Sequence, residues 1–364
     1  MNFLKEFELL QSGLKGGHSF QASIVTNRVA NLEICKRPSI FHKDTATFTS
    51  LDVHYKEDEC RMLAGASNGD INIYTWNINS GTYTTDLKKI LGRRPSERME
   101  YKTVQWHTFN CNKFLATDRD REIKIFDVNN DSNAEIKMCF DINISGFNMS
   151  SGANKNLIAV ARKDPYIHII DIRSSPTICL SVEASPVAVS SVRWSTKSDE
   201  IFAIGSVDGT ISLWDFRFPE QSLGGPLKKE NSTTAHDGEV DSLRFTNDGL
   251  FLVSHGLDNR IHVWNATSGK AFDVDFGAIP SARKPYPVSI DMCYDSKPPV
   301  LFVPSRDCII MYNLFTGDRI KTLMGHTNFV SCCAYRSSSN ELFSAGTDQK
   351  ILLWTPRGHI QMEE

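Results

Sequence analysis

The stretch that decides the fold is IFAIGSVDGTISLWD, residues 201–215. It contains an apolar strand, small residues, a turn with Asp208, and an alternating strand that ends on Trp214. Two short strands joined by such a turn predict a β-hairpin. The same pattern occurs seven times along the chain, and the other six copies begin at Leu63, Phe114, Leu157, Leu250, Leu301 and Leu342.

The seven copies keep a common register. Each ends on a bulky residue, and these residues follow one another at intervals of 42 to 52 positions, about 47 on average. A polar turn residue lies six positions upstream in six copies, whereas the sixth copy has Arg306 there and Asp307 one position later, which predicts a shorter turn. The period is close to that of a four-stranded propeller blade. We therefore predict an all-β, seven-bladed β-propeller with a short N-terminal helical arm.

Composition limits the possible functions. The 364 residues are 40% hydrophobic and carry a net charge of −3, from 40 Lys and Arg against 43 Asp and Glu. Proteins that grip nucleic acid phosphates usually have a basic excess, so we expect no direct DNA contact. No run approaches the roughly 20 apolar residues of a membrane span. The nine cysteines include no C-x-x-C pair, so we expect no metal site and a reducing compartment.

Two copies share a further set of polar residues at identical spacings. Serine, histidine and aspartate together are compatible with a hydrolase triad. A catalytic set occurs once in a chain, however, while this one recurs at matched repeat positions. We therefore predict a buried hydrogen-bond network and assign no catalytic residue. The predicted network consists of His236, Ser254, Asp258 and Trp264 in the fifth copy, and His326, Ser344, Asp348 and Trp354 in the seventh.

These residues also carry a resemblance to a known family. The Gly325-His326 start, the turn aspartates and the Trp214-Asp215 ending resemble the WD40 repeat family over roughly residues 46–356. Other copies depart from the literal Gly-His and Trp-Asp pairs but keep the apolar strands. The resemblance implies a seven-bladed propeller, in agreement with the period.

Ring closure follows from counting strands. Trp354 ends the third strand of the last copy, and only ten residues follow it, including Pro356 and Gly358. The fourth strand must therefore come from elsewhere, and RVANLEICK, from Arg28, is available. We predict three parts: a helical arm over residues 1–27, a propeller over 28–358 closed by this N-terminal strand, and a tail over 359–364.

The arm has an apolar face without an obvious place in the ring. Apolar residues recur at helical spacing until Gly13, and a second short apolar piece follows Gly16-Gly17. A short lone helix is marginal in water, so it must pack on the propeller or on a partner. We favour a partner, since helix-in-groove recognition is common. The apolar residues are Phe3, Leu4, Phe7, Leu10 and Leu14 in the first piece, and Phe20, Ile24 and Val25 in the second.

Two copies end with an additional arginine. The fourth ends Trp-Asp-x-Arg at Arg217, and the third has Asp171 and Arg173 in the same register. This ending resembles the box with which WD40 substrate receptors dock on the damaged-DNA-binding adaptor of cullin-RING ubiquitin ligases. The alternative is that both arginines pair with surface carboxylates. The residues that the resemblance and the arm together assign to adaptor binding are Phe3, Leu4, Phe7, Leu10, Arg173, Asp208, Trp214, Asp215 and Arg217, with Asp208, Trp214 and Asp215 ordering the turn.

Longer stretches resemble one group of these receptors, the Cockayne syndrome A family. They are YKTVQW from Tyr101, TAHDGEVDSLRFTNDGLFLVSHGLDNRIHVWN from Thr234 and GHTNFVSCCAYRSSSNELFSAGTDQKILLWTP from Gly325. The resemblance implies a non-catalytic, nuclear substrate-recognition subunit of a cullin-RING E3 ubiquitin ligase in transcription-coupled nucleotide excision repair. It implies the adaptor as partner, with the cullin and RING subunits bound through it. It also implies a Cockayne syndrome B type ATPase and stalled RNA polymerase II as substrates or recruiters, and no cofactor or small-molecule ligand.

Other functions stay open at this point. The same blades would serve a WD40 scaffold of another nuclear complex, in RNA processing or signalling, without a ubiquitin ligase. An enzyme built on a propeller would need an unrepeated set of catalytic groups facing the central channel, and the sequence offers none. Direct reading of DNA is disfavoured by the charge balance.

Overall fold

The structure is a computed structural model of the chain. It describes residues 10–12, 16–35, 40–41, 46–54, 60–76, 85–90, 102–117, 121–129, 136–152, 156–173, 177–228, 233–280 and 288–356. Phe3, Leu4, Phe7 and Leu14 of the predicted arm, and the whole of the predicted tail, lie outside these residues.

The described part of the chain contains one long helix, α1 (Gly17–Ala30), and seven antiparallel sheets, each built around four strands. Blade 1 consists of β3 (Phe48–His54), β4 (Cys60–Ala66), β5 (Ile71–Trp76) and β6 (Thr85–Ile90). Blade 2 consists of β7 (Thr103–Trp106), β8 (Lys113–Thr117), β9 (Glu122–Asp127) and β10 (Ile136–Cys139). Blade 3 consists of β11 (Ile144–Met149), β12 (Leu157–Arg162), β13 (Tyr166–Asp171) and β14 (Thr177–Glu183).

Blades 4 to 6 repeat this order. Blade 4 consists of β15 (Val189–Trp194), β16 (Ile201–Ser206), β17 (Ile211–Asp215) and β18 (Pro226–Leu227). Blade 5 consists of β19 (Val240–Phe245), β20 (Phe251–Gly256), β21 (Ile261–Asn265) and β22 (Ala271–Phe272). Blade 6 consists of β23 (Asp291–Cys293), β24 (Val300–Ser305), β25 (Cys308–Asn313) and β26 (Arg319–Met324). Blade 7 consists of β27 (Val330–Arg336), β28 (Glu341–Gly346), β29 (Lys350–Pro356) and β1 (Leu32–Ile34), with β2 (Ile40–Phe41) also paired to β29. The predicted seven-bladed propeller is confirmed.

An apolar cluster fills each junction between neighbouring blades. The middle strands are buried on both faces, as the near-continuous burial of β16 and β17 shows. This is why the repeats read as almost uninterrupted apolar runs. At the junction of blades 7 and 1, Leu51 and Val53 pack against Phe343, so the ring of blades is closed.

The N-terminal segment completes blade 7. In the register of β1 on β29, Leu32 faces Pro356 and Ile34 faces Trp354. Farther along β29, Ile40 of β2 pairs with Ile351. The closing strand starts at Leu32 rather than at the predicted Arg28, because residues 28–30 form the last turn of α1.

Helix α1 packs on the propeller. Ala22 and Val29 are buried, and Val29 and Val25 join the apolar cluster between blades 6 and 7. Thr26 Oγ1 accepts a hydrogen bond of 2.7 Å from the backbone N–H of Lys297. The expectation that the second apolar piece of the arm packs on a partner is therefore wrong, because its helix extends far enough to reach the blades.

Strand direction defines two faces of the ring. Antiparallel strands alternate in direction, so the loops between first and second strands and between third and fourth strands share one face, here called the bottom face. The turns between second and third strands lie on the opposite, top face. Helix α1 lies on the bottom face, because it enters β1 beside Pro356 at the end of a third strand and touches Lys297 in the loop between β23 and β24.

Two further findings concern the described residues. Their cysteines, such as the buried Cys332 and Cys333, carry free thiols. Within the same residues, none of the helices has the length and apolar character needed to span a bilayer.

Candidate protein-docking surface

The two Asp-x-Arg endings adopt the same local structure on the bottom face. Asp215 Oδ1 accepts the backbone N–H of Arg217 at 3.0 Å, and its two oxygens accept Nε at 3.0 Å and Nη2 at 2.6 Å. In blade 3, Asp171 holds the backbone N–H and guanidinium of Arg173 in the same way, at 3.0 Å, 3.1 Å and 2.5 Å. The short Asp-x-Arg spacing produces this geometry, since one carboxylate can reach both groups only across a tight turn.

Each pair presents a fixed cation to solvent. The Arg217 side chain is 54% exposed and that of Arg173 61%, while Asp215 is almost fully covered at 6%. The hydrogen bonds to Asp171 raise the pKa of Arg173, and those from Arg173 lower the pKa of Asp171. Both arginines therefore pair with carboxylates of their own loops, as the sequence alternative stated, but they keep exposed, oriented guanidinium edges that a partner can use.

An exposed aromatic residue stands beside one of these arginines. The Phe218 side chain is 64% exposed, and its ring centre lies 5.7 Å from the guanidinium carbon of Arg217. Leu223 of the same loop is also exposed. Aromatic and arginine side chains are enriched at protein interfaces. Phe218 was not predicted as a site residue, although it follows Arg217 directly, because the sequence does not show that its ring points outward.

The remaining predicted docking residues that the structure describes, Leu10, Asp208 and Trp214, do not form one patch. Asp208 lies in the turn between β16 and β17, on the top face, where its carboxylate accepts the backbone N–H of Thr210 at 3.0 Å. It therefore orders a different turn from the one that Asp215 orders. Trp214 is buried in the core of blade 4. Leu10 is half-buried, and α1 lies beside blades 6 and 7, on the same face as Arg173 and Arg217 but two to three blades away around the ring.

The buried networks of blades 5 and 7 are present with the predicted connections. In blade 7, Trp354 Nε1 donates to Ser344 Oγ at 2.8 Å, His326 Nε2 lies 2.8 Å from that oxygen, and His326 Nδ1 lies 2.9 Å from an Asp348 oxygen. The donors and acceptors are consistent when Ser344 donates to Nε2 and His326 donates from Nδ1.

Blade 5 has the same arrangement. The indole of Trp264 donates to Ser254 at 2.9 Å, and His236 bridges Ser254 at 2.8 Å and Asp258 at 3.0 Å. Burial alone raises the pKa of the Asp258 carboxyl, but the hydrogen bonds from His236 and from the backbone N–H groups of Asp237 and Arg260 outweigh it, so the pKa lies below its usual range. The same holds for Asp348 beside His326.

This geometry is structural rather than catalytic. Ser254 and Ser344 are fully buried, and each oxygen already accepts an indole N–H, so no substrate carbonyl can approach it. Asp258, His236 and His262 also lie within reach of one another. A metal ion there is disfavoured, because Nδ1 of His236 donates to Asp258 and Nε2 accepts from Ser254, which leaves neither nitrogen a free lone pair.

Comparison with known families agrees with this architecture. The model described as "WD domain, G-beta repeat" matches residues 177–215, 227–265 and 317–355, the repeats that end on Trp214, Trp264 and Trp354. Three segments of the chain therefore match WD40 repeats, and the seven-bladed fold agrees with that of WD40 propellers. Such propellers are typically non-catalytic scaffolds.

Individual relatives differ in how much of the chain they cover. The WD repeat-containing protein ATCSA-1 of Arabidopsis thaliana is 24% identical over 97% of this chain and 95% of its own length. A ribosome biogenesis protein WDR12 homolog of Culex quinquefasciatus is 27% identical over 52% of this chain and 41% of its own length. The nuclear distribution protein nudF of Emericella nidulans is 29% identical over 46% of this chain and 39% of its own length. This chain thus spans about two fifths of the last two relatives.

Proposed function

We propose that this chain is a substrate-recognition subunit of a cullin-RING E3 ubiquitin ligase of the Cockayne syndrome A type. It would act in the nucleus in transcription-coupled nucleotide excision repair. The observation that carries the proposal is the pair of aspartate-held, exposed arginines at one register of two successive blades. The similarity to ATCSA-1 over nearly the full length of both chains supports it.

The proposed role is geometric. The bottom face would bind the damaged-DNA-binding adaptor, and through it the cullin and RING subunits. The top face would bind a Cockayne syndrome B type ATPase or stalled RNA polymerase II. Holding both partners on one rigid ring raises the effective concentration of the substrate near the catalytic module of the ligase. Because Ser254 and Ser344 of blades 5 and 7 are fully buried, we assign the ubiquitin chemistry to the other subunits.

Different parts of the bottom face would contribute in different ways. Arg217 and Phe218 would supply an oriented cation and an aromatic anchor, which are the residue types that dominate interface energies. Arg173 would add a second cation one blade away. The segment before α1, with Phe3, Leu4, Phe7 and Leu10, would bind as an apolar helix, and α1 would fix its starting point on the ring by packing Ala22 and Val29 on the blades.

A charge-reversal experiment tests the bottom-face assignment. The double variant Arg173→Glu and Arg217→Glu keeps the strands intact, because both guanidinium groups are more than half exposed. We expect its affinity for the purified adaptor to fall at least about tenfold. The matched control is Arg260→Glu, an exposed arginine in a top-face turn. If the double variant binds the adaptor as tightly as the control does, the assignment is wrong.

A truncation tests the arm separately. Removal of residues 1–15 leaves α1 and β1 in place, so the ring stays closed. We expect adaptor binding to fall while the melting temperature stays close to that of the full chain. Unchanged binding would remove the first apolar piece from the proposed interface and leave the arginine surface to be judged alone.

A second candidate function is a WD40 scaffold of another nuclear complex without a ubiquitin ligase. The partial similarity to ribosome biogenesis proteins of the WDR12 type favours it. Affinity purification with mass spectrometry, before and after ultraviolet irradiation, separates the two functions. Recovery of the adaptor and a cullin supports the ligase subunit, whereas recovery of ribosome assembly factors without them supports the scaffold.

A further inference from the structure

The first strands of the blades surround the central channel, and their inner edges have no neighbouring strand. Every second backbone N–H of such an edge points into the channel and needs an acceptor. At four junctions a side-chain oxygen of the preceding blade supplies it, a contact here called a latch. The latches run from Trp106 N–H to Asp52 (2.7 Å), from Met149 N–H to Gln105 (3.0 Å), from Trp194 N–H to Asn148 (2.8 Å) and from Tyr335 N–H to Asp291 (2.8 Å).

The latch residues share one register on the first strands. Asp52, Gln105, Asn148 and Asp291 lie opposite Leu63, Leu115, Ala159 and Phe302 of the second strands. The same register places Arg193 in blade 4, Arg244 in blade 5 and Ala334 in blade 7. None of these three side chains can accept a hydrogen bond, so three latches are missing.

Two of the missing latches are replaced locally. Between blades 5 and 6, Met292 N–H donates to the carboxylate of Asp291 at 2.9 Å, and Arg244 pairs with Asp291 at 3.0 Å. Between blades 7 and 1, Val53 N–H bonds to the carboxylate of the adjacent Asp52. In both cases a carboxylate supplies the acceptor from the same strand.

The junction between blades 4 and 5 has no such replacement. Thr246 N–H donates to Phe251 O at 2.9 Å, so the alternation of the strand turns the preceding N–H, that of Phe245, toward the channel. The residue before Phe245 is Arg244, which has no acceptor to offer. Within the described part of the chain, neither Phe245 N–H nor the half-buried Arg193 guanidinium has a partner. The channel wall at this junction therefore presents hydrogen-bond donors and positive charge.

We propose that Arg193 and the Phe245 N–H form a binding site for a small oxyanion of the phosphate class. The guanidinium fork matches two oxygens of such an anion, and the N–H donates to a third. Arg244 lies at the same register of the next blade, but its charge is paired with Asp291, so Arg193 supplies the positive charge of the site. Arg193 is the second-last residue of β15, and first strands run toward the bottom face, so the site lies near the bottom mouth of the channel and is open to solvent.

The test uses the variant Arg193→Asn, which places at this register the residue type that blade 3 has there. The introduced amide oxygen would accept the Phe245 N–H as Asn148 accepts the Trp194 N–H, so the latch is restored and the cation removed. Isothermal titration calorimetry with inorganic phosphate, at constant ionic strength set with sodium chloride, measures binding directly. We expect saturable binding to the wild type, a rise of its melting temperature with phosphate, and at least a tenfold weaker affinity in Arg193→Asn.

Two further variants complete the experiment. Arg193→Gln introduces the residue type that blade 2 has at this register, and it should behave as Arg193→Asn does if the latter folds poorly. Arg260→Asn removes an exposed arginine of a top-face turn and should bind phosphate as the wild type does. The proposal is overturned if the wild type shows no saturable binding at millimolar phosphate, or if a folded Arg193 variant keeps the wild-type affinity.

Discussion

Blades 7 and 4 use the same repeat positions in opposite ways. In blade 7 the indole N–H of Trp354 is the first donor of a chain that ends on Asp348, and every polar group in that chain has a partner. In blade 4, Trp214 occupies the same position, but Ile204 and Pro186 stand where the serine and histidine would be. Among the residues that the structure describes, its buried indole N–H has no hydrogen-bond partner.

The difference separates two roles of the repeat. Blade 7 closes the ring with a strand from the other end of the chain, and a fully paired polar core fixes its geometry. Blade 4 is built from four consecutive strands and needs no strand from the other end of the chain. Its Asp215–Arg217 ion pair lies at the bottom face, where the arginine side chain is exposed to solvent. Repeats with complete networks therefore place their polar groups inside the ring, whereas repeats with Asp-x-Arg endings place charge on the surface.

The largest predicted effect concerns the buried hydrogen-bond network of blade 7. The replacement His326→Ala removes the imidazole that joins Asp348 to Ser344. The Asp348 carboxylate then loses its side-chain donor, and the Ser344 hydroxyl loses its acceptor and keeps the indole of Trp354. Buried polar groups that lose a partner cost their desolvation, so we expect a loss of about 3 kcal/mol in the free energy of unfolding. Urea denaturation followed by tryptophan fluorescence measures it.

The matched comparison for this variant is His236→Ala in blade 5, which removes the same histidine from a blade without a closing strand. We expect a similar or smaller loss there. The exposed His18→Ala serves as control and should leave stability unchanged. A loss below about 1 kcal/mol for His326→Ala would show that the network contributes little beyond packing.

The second prediction concerns the helix that precedes the closing strand. Val29 is fully buried against the cluster that contains Leu32 and Trp354. Val29→Ala should cost about 2 kcal/mol, since it removes two buried methyl groups and leaves a cavity. Phe20→Ala, at a half-buried position of the same helix, should cost less. Equal and negligible effects on thermal unfolding would show that α1 is dispensable for blade 7.

Much of this contrast could be predicted from the sequence. The spacing of His326, Ser344 and Asp348 relative to Trp354 fixes their positions on adjacent strands once the hairpin register is known. Register is strongly specified in these strands because a slip of one residue would turn buried side chains outward. The repeat pattern therefore predicted both the ring and its buried networks.

The sequence was less informative where blades meet and where the chain changes from helix to strand. Residues 28–30 were read as strand, but Val29 continues the helical spacing from Ala22 and Val25 and reaches the core only as part of α1. The latches depend on which side of a first strand faces the next blade, and one repeat alone does not show this. The exposure of Phe218 likewise follows from the path of its loop.

A third, smaller effect distinguishes the two tryptophans. Trp264→Phe in blade 5 removes an indole that donates to Ser254 and leaves that hydroxyl with one partner fewer. Trp214→Phe in blade 4 removes a donor that has no acceptor in the described part of the chain. Both lose similar volume, so the difference isolates the hydrogen bond, and we expect Trp264→Phe to be more destabilising by about 1 kcal/mol. Equal costs in chemical denaturation would contradict the assigned contrast between the blades.

The smallest effect compares two carboxylates across pH. Asp348 is paired with an imidazole, whereas the Asp52 carboxylate at the channel wall accepts the backbone N–H of Trp106, and burial raises the pKa of Asp52 to about 7. The folded protein then holds this proton more tightly than the unfolded chain does. Stability from this group is complete below the pKa of the unfolded chain, near 4, and declines as the pH rises through 7.

Asp52→Asn keeps an acceptor for Trp106 N–H and removes the titration. We expect the free energy of unfolding of the wild type to fall by about 1 kcal/mol relative to Asp52→Asn between pH 6 and pH 8. Asp348→Asn should show no such relative change in that range, since the pKa of Asp348 lies below its usual value. Parallel stability curves for wild type and Asp52→Asn would mean that Asp52 is already ionised at pH 6, and that water or Arg244 compensates its charge in the channel.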